Sequence, residues 1–237
     1  MTDQRRTPGQ LHRVNASVPN GQHKDIPQAT VSRLATYLRV LTNMVDDGLS
    51  IVSSEELAKA AGVGSAKLRK DLSFLGPNGV RGVGYDVARL RARIELALGL
   101  ERGHRVVLVG VGNLGRALAG YGGFGRRGFE MVGLFDNDRA VIGDSVGELT
   151  VRDVADLRAG FAELEPTIAV IAVPDETAQA ACNRLVDAGA RCILSFSSVL
   201  LQAPEHVEIR RVDLAVEMQL LSFSSSRNTS EMAVVQP

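Results

Sequence analysis

The sequence predicts an α/β chain in two parts. A small N-terminal winged helix-turn-helix domain precedes a Rossmann-like, doubly wound parallel sheet, and a C-terminal helix closes the chain. Three observations predict it. Apolar strand-like runs alternate with helical patterns from Val106 to Phe196, the order that builds a parallel sheet. A Gly-x-Gly-x-x-Gly run joins the first of these strands to the helix after it. Ahead of both, three helical stretches and a glycine-rich turn follow one another in winged-helix order.

Composition sets the frame. With 237 residues, 45% of them hydrophobic, the chain is long enough for one large or two modest cores. Lys and Arg balance Asp and Glu at 27 each, so any nucleic-acid signal must be local. Cys182 and Cys192 show neither CxxC nor metal-ligand spacing and read as free thiols in a reducing cytosol; no metal site is expected. Neither a membrane-spanning apolar run nor a signal-peptide core is evident, which predicts a cytoplasmic protein.

Residues 1–25 carry Arg5, Arg6, Arg13 and Lys24 against Asp3 and Asp25 in a polar background, and read as a disordered arm. The winged-helix domain is expected over 26–85. Val31, Leu34, Ala35, Leu38, Leu41 and Val45 follow one helical face, which Gly48 ends. Ser53-x-x-Glu56 is a capping box that opens a second helix with Leu57, Ala60 and Ala61 inside. Gly62 stops it. Ser65 is expected to cap a third helix, apolar at Leu68, Leu72 and Leu75, whose first turns carry Lys67, Arg69 and Lys70. Helix, turn and helix of this length place the second member in the major groove. Val80 to Tyr85, with Arg81, reads as a wing. Ser65, Lys67, Arg69, Lys70 and Arg81 are therefore the expected DNA contacts; the alternative is a solvated basic face on a small helical cap.

A linking helix over 86–103, with Val87, Leu90, Ile94 and Ala97 inside, leads to the nucleotide domain at 104–211. Val106–Val109 reads as a buried strand that meets Gly110-Val111-Gly112-Asn113-Leu114-Gly115 directly, and Leu114, Ala117, Leu118 and Tyr121 then recur at helical spacing. The first glycine permits the turn, the second lets a pyrophosphate approach the backbone, and the third lets helix and strand pack. The helix N-terminus offers N–H groups to phosphate. A second strand, Met131–Phe135, ends on Asp136, about 20 residues past the last glycine, where a carboxylate accepts ribose hydroxyls and repels a 2′-phosphate. This predicts NADH and NAD⁺ as ligands in preference to the phosphorylated cofactors.

Past Asp136 the expected elements are a helix near 152–161, a strand Ile168–Val173, a helix Glu176–Val186 and a strand Cys192–Phe196. Ligand lies at strand carboxyl ends in such sheets, which places Val173, Pro174 and Phe196 beside the cofactor as an apolar pocket. The last helix, 212–224, has one stripe of Leu214, Met218 and Leu221 and another of Val216, Leu220 and Phe223. A helix apolar nearly all round must be buried, either in a partner subunit or in its own domain. Residues 225–237 read as a polar, disordered tail.

From Ile26 to Phe223 the chain resembles the bacterial redox-sensing transcriptional repressors of the Rex family, the actinobacterial members in particular. The resemblance rests on Leu68-Arg69-Lys70-Asp71, Arg81-Gly-Val-Gly-Tyr85-Asp86, Gly110-Val-Gly-Asn-Leu-Gly115, Tyr121-Gly-Gly-Phe124 and Val212-Asp213-Leu214 with Glu217. It implies a homodimer with swapped C-terminal helices, operator DNA with inverted repeats, and release when NADH binds. It also implies that Tyr85 and Asp213, with Arg33, link the nicotinamide end to the winged domain. Three positions depart from the family pattern: Ser195-Phe196-Ser197-Ser198 stands for Asn-Phe-Ala-Pro, Leu72 for Phe, and Val80 for a polar or basic residue.

Three other functions compete, one of them a DNA-binding scaffold that has lost its ligand, against which the intact glycines of 110–115 weigh. A small NAD-dependent oxidoreductase needs an acid or base, yet none of His12, His23, His104 and His206 falls on an expected strand end, and no substrate domain follows the sheet. A coenzyme A-binding module shares the sheet, but Asp136 argues for a free ribose. No enzymatic activity is expected.

Overall fold

A computed structural model describes residues 26–80 and 82–234. The expected N-terminal arm, the wing residue Arg81 and residues 235–237 lie outside the described residues. The chain divides into two compact units, residues 1–94 and 95–237, with the division inside the linking helix.

The first unit begins with α1 (Gln28–Asp46), which Gly48 ends in a left-handed conformation. Its buried stripe is Thr30, Leu34, Tyr37 and Leu41, so Ala35 is exposed where the pattern put it inside. Polar Thr30 and Tyr37 face inward because a buried carboxylate, Asp71, takes hydrogen bonds from both. A short strand β1 (Ile51–Val52) follows, then α2 (Ser54–Ala60). The capping box forms as the sequence predicts: Glu56 N–H donates to Ser53 Oγ at 3.1 Å, and Ser53 N–H donates to Glu56 Oε2 at 2.9 Å. Leu57 and Ala58 are the buried pair, and Ala60 points outward.

Helix α3 (Ser65–Leu72) buries Leu68, Asp71 and Leu72. Its N-cap is Gly64, with no side-chain cap, so Ser65 already has helical backbone and does not cap. A 3-10 turn, Ser73–Leu75, ends the run. Val80 bridges Gly84, and β2 (Tyr85–Asp86) pairs antiparallel with β1, which closes the wing onto the helices. Helix α4 (Val87–Ala97) buries Val87, Leu90 and Ile94.

The second unit is a seven-stranded sheet in the order β5-β6-β4-β3-β7-β8-β9. The strands are β3 (His104–Val109), β4 (Phe129–Asp136), β5 (Ser145–Val146), β6 (Leu149–Asp153), β7 (Ile168–Ile171), β8 (Cys192–Ser195) and β9 (Glu208–Arg211). All neighbours run parallel except the β5–β6 hairpin. Helices α5 (Asn113–Ala119), α6 (Leu157–Leu164) and α7 (Asp175–Asp187) connect them. The chain order of β6, β4, β3, β7, β8 and β9 is that of a doubly wound sheet, which reverses direction at β3.

Successive β3 residues point to opposite faces. Val107 and Val109 join Phe135, Ile171 and the inner side of α7; Val106 and Leu108 join Leu134, Val151 and Val170. The helix expected near 152–161 starts later, at Leu157. Val151 is buried in the ladder with β4, and Asp153 caps a 3-10 turn by accepting Ala155 N–H at 2.8 Å. Helix α5 is shorter than its pattern: Leu114, Ala117 and Tyr121 are exposed, and Gly115 is its buried residue.

The terminal helix α8 (Leu214–Val234) runs ten residues past its expected end at 224. No glycine or proline interrupts that stretch. Asp213 caps it, accepting Ala215 N–H at 3.1 Å and Val216 N–H at 3.3 Å. The expected burial is not met within the chain: Leu214, Met218, Leu221 and Phe223 are 58–71% exposed. Among the described residues no helix is long and apolar enough to cross a membrane.

Candidate cofactor groove and nucleic-acid face

The glycine loop between β3 and α5 has a distinct physical demand at each glycine. Gly110 has φ +96°, and a Cβ there would lie 2.6 Å from both Ala172 O and Val173 Cγ1. A Cβ on Gly115 would lie 1.9 Å from Gly110 O, so only glycine lets the helix seat against the strand end. Gly112, between them, has nothing within 4 Å. The loop is thus tight on its protein side and open where a ligand backbone would approach. Gly112 is also the N-cap of α5 and carries no side-chain cap, and Asn113 and Leu114 form the exposed first turn.

Asp136, half-buried at the end of β4, faces this loop. Its Oδ2 accepts Val111 N–H at 2.6 Å. Its Oδ1 accepts Asn137 N–H at 2.7 Å and Asp138 N–H at 3.0 Å. A carboxylate offers about four acceptor positions. Oδ1 is thereby satisfied, and Oδ2 keeps room for a hydroxyl. The residues present fit a nucleotide with a free ribose, and the loop and the carboxylate are held as one piece.

The other expected groove residues separate. Val173 packs against Gly110 and the α7 side of the sheet, and Pro174 is the exposed N-cap of α7. Phe196 points to the opposite face, lining a 190 Å³ apolar cavity with Leu118, Phe124 and Leu194. Val173 and Phe196 therefore do not form one pocket wall. Sequence reasoning missed Asp175, whose carboxylate accepts Ser197 Oγ–H at 2.7 Å and Ser198 N–H at 3.0 Å, and also Ser198 Oγ–H. An acid one residue after the Pro174 that starts a helix was the only local signal.

In the first unit, α3 turns Leu68 and Leu72 inward and leaves Lys67, Arg69 and Lys70 exposed. Ser65, half-buried, begins the helix. Asp71 fixes the helix: Arg33 Nε donates to Oδ2 at 2.6 Å and Nη2 to Oδ1 at 2.7 Å. Tyr37 and Thr30 add hydroxyl donors at 2.8 and 3.2 Å. Hydrogen bonding from Arg33 holds the Asp71 carboxyl below the usual aspartate range. Burial pushes the Tyr37 phenol up to about 12. Arg33, expected to act in communication between the domains, has its guanidinium on Asp71. Arg69 is drawn to α2, where Nη1 donates to Glu55 Oε1 and Ser54 Oγ, each at 3.2 Å. Tyr85 is half-buried under the wing, where a Cβ on Gly79 would lie 2.8 Å from its ring. Burial raises its phenol pKa.

Comparisons with known proteins agree with this division. A family model described as "Putative DNA-binding protein N-terminus" matches residues 25–73. A second, described as "CoA binding domain", matches residues 101–199. The chain is 47% identical over 223 residues to a redox-sensing transcriptional repressor Rex of Streptomyces griseus, covering 94% of this chain and 86% of that protein. It is likewise 47% identical to the Rex of Streptomyces coelicolor, over 95% of this chain and 85% of that protein. Among solved structures, the Rex-family repressor RSP matches with a TM-score of 0.81 at 28% identity, over 89% of this chain and 99% of RSP. RSP has been crystallised with β-NAD⁺ and operator DNA (TM-score 0.81) and with β-NADH (TM-score 0.80). A winged unit that presents a basic helix, a glycine loop clasped by Asp136, and this degree of identity over almost the whole chain together establish that the protein belongs to the Rex family of redox-sensing transcriptional repressors.

Proposed function

We propose that this protein is a cytoplasmic, non-enzymatic repressor that binds inverted-repeat operator DNA as a homodimer and leaves it when NADH binds. The observation that carries the cofactor half is the hydrogen bond from Val111 N–H to Asp136. It fixes a ribose-reading carboxylate beside the open backbone at Gly112. NADH and NAD⁺ are the cofactors, and the groove residues are Gly110 to Gly115, Asp136, Val173 and Pro174, with Phe196 left to the cavity on the opposite face. For DNA, Ser65, Lys67, Arg69, Lys70 and the wing residue Arg81 make the contacts.

The exposed apolar residues of α8 support a helix that finishes its burial on a second copy. The two described histidines support a non-catalytic reading. His104 sits at the start of β3, with its ring nitrogens 3.1 Å from Thr167 Oγ1 and Gly99 O. His206 lies in an exposed turn ahead of β9. Neither is at the carboxyl ends of the strands, where a ligand binds.

NADH and NAD⁺ share their adenosine and diphosphate, so the glycine loop and Asp136 cannot tell them apart. Discrimination falls to the nicotinamide end, where Val173 and Pro174 disfavour an unpaired ring charge. Tyr85, Asp213 and Arg33 carry the signal to the winged domain. A ligand shifts such an equilibrium only by its differential affinity for the two states. A 100-fold preference corresponds to about 2.7 kcal/mol.

The test is release of the protein from an inverted-repeat duplex selected in vitro, measured in matched NADH and NAD⁺ titrations. NADH is expected to release it at far lower concentration, and equal release by both overturns the reading. A second reading, coenzyme A as ligand, draws on the match of residues 101–199 to the CoA binding domain. Coenzyme A in the same titration separates the two.

A further inference from the structure

The segment Ser195-Phe196-Ser197-Ser198 leaves β8 at its carboxyl end and is tied down on three sides. Ser197 Oγ–H and Ser198 N–H both donate to Asp175 Oδ1, at 2.7 and 3.0 Å, and Ser198 Oγ–H donates to Oδ2. Ser197 N–H donates to Ser195 Oγ at 3.2 Å, and Arg211 Nη1 of β9 donates to Ser198 O at 2.6 Å. Ser195 and Ser197 are 1% and 2% exposed, so their hydroxyls depend on these bonds in place of water, whereas Ser198 and Asp175 are exposed. The Ser198 and Ser197 hydrogen bonds keep the Asp175 carboxyl below its ordinary range, consistent with a charge held by donors.

The sheet order says what this loop faces. Asp136 ends β4, on one side of β3, and reads the adenosine ribose in the proposed function. A dinucleotide whose diphosphate lies on the loop after β3 must run its other half over the carboxyl ends of β7 and β8. β7 leads through Val173, which abuts Gly110, to Asp175; β8 leads directly to Ser197 and Ser198.

We propose that Asp175 is a positioning residue for cofactor recognition, holding the Ser197–Ser198 loop as the wall of the groove at its nicotinamide end. A serine pair lacks the fixed φ that a proline would give the loop, and the carboxylate supplies that constraint from outside. Asp175 belongs to the cofactor site without touching the adenosine half, and a structural role alone would not be confined to one end of the ligand.

The inference rests on the cofactor reading above, and its test separates the two. Binding of NADH, NAD⁺ and ADP-ribose, which lacks the nicotinamide, is measured by calorimetry on the full chain, on Asp175→Ala, on Ser197→Ala/Ser198→Ala, and on the triple variant. Asp175→Ala is expected to weaken NADH and NAD⁺ about tenfold and ADP-ribose less than twofold, equivalent to about 1.4 kcal/mol at one end of the ligand. The serine variant keeps the Ser198 N–H bond to Asp175 and should show the same pattern to a smaller extent, and the triple variant should be no worse than Asp175→Ala, since one lock is lost once. Thermal melting of each variant reports its folding. Unchanged NADH affinity in folded variants, equal weakening of all three ligands, or additive losses in the triple variant overturns the assignment. A wild-type chain that binds none of the three ligands overturns the cofactor reading, and this one with it.

Discussion

Asp71 and Arg33 form a two-pronged ion pair, with Nε to Oδ2 at 2.6 Å and Nη2 to Oδ1 at 2.7 Å, that fastens α3 to α1. The carboxylate is 2% exposed and sits one residue after Lys70, so the same turn of helix carries a buried anchor and an outward cation. Orientation of the basic face therefore depends on a charge that the solvent does not see.

Loss of that anchor is expected to be costly. Asp71→Ala removes bonds from Arg33, Tyr37 and Thr30 and should destabilise the winged unit by about 1.5–3 kcal/mol, typical of hydrogen bonds to a charged group. Arg33→Lys should not restore it, because an ammonium cannot supply the fork. The folded pKa of Asp71 is depressed below the unfolded value. Its stabilisation is therefore complete above the ordinary aspartate pKa and is lost as the pH falls through the lower, folded value. Denaturant melts across acidic pH, wild type against Asp71→Asn, check both sign and size. Parallel pH dependence in the two proteins would refute the assignment.

Asp136→Ala should weaken NADH far more than NADPH, since the carboxylate both reads the ribose and repels a 2′-phosphate. It also frees Val111 N–H, so some loss of NADPH affinity through the loop is expected. Fluorescence titration of both cofactors measures the ratio. Tighter binding of NADPH than of NADH by the unaltered protein would sink this prediction.

On the DNA side, alanine at Lys67, Arg69 and Lys70 together should abolish operator binding at physiological salt. Losing one bidentate base contact costs about 1–3 kcal/mol, whereas losing a phosphate contact mainly flattens the salt dependence. Glu55→Gln should act in the opposite direction. The Arg69–Glu55 pair is exposed on both sides, and releasing Arg69 should tighten binding a few-fold and steepen the salt slope by up to about one unit. Anisotropy titrations at several salt concentrations check both, and an unaffected triple variant would remove α3 from the interface.

Truncation before Val212 removes α8, whose Leu214, Met218, Leu221 and Phe223 are exposed on a single chain. The truncated protein should sediment as a monomer or aggregate. A well-behaved dimer would exclude the helix as the dimer contact.

Much of this was legible in the sequence where the constraint is local. The Ser53–Glu56 box and the Gly110–Gly115 loop each declare themselves within six residues, because capping and tight turns accept few residue types. Asp136 was legible because the strand before it is strongly apolar. Long-range polar pairing was not. Asp71 meets Tyr37 across 34 residues and Asp175 meets Ser198 across 23, and no periodicity marks either. Strands β5, β6 and β9 escaped because two to five residues with mixed polarity do not establish a period of two. Ser65 looked like a cap, but Gly64 already supplies the extended backbone that the cap position requires.

The exposed flank of α8 has a consequence for how much of the protein a cell must make. If a second copy covers it, each chain acts as a stabilising ligand for the other, and the folded population follows mass action. The melting temperature should then climb with protein concentration. Dilution toward the dissociation constant would thin out the assembled species before any cofactor changes, so gene dosage and redox state would tune the same switch through separate variables.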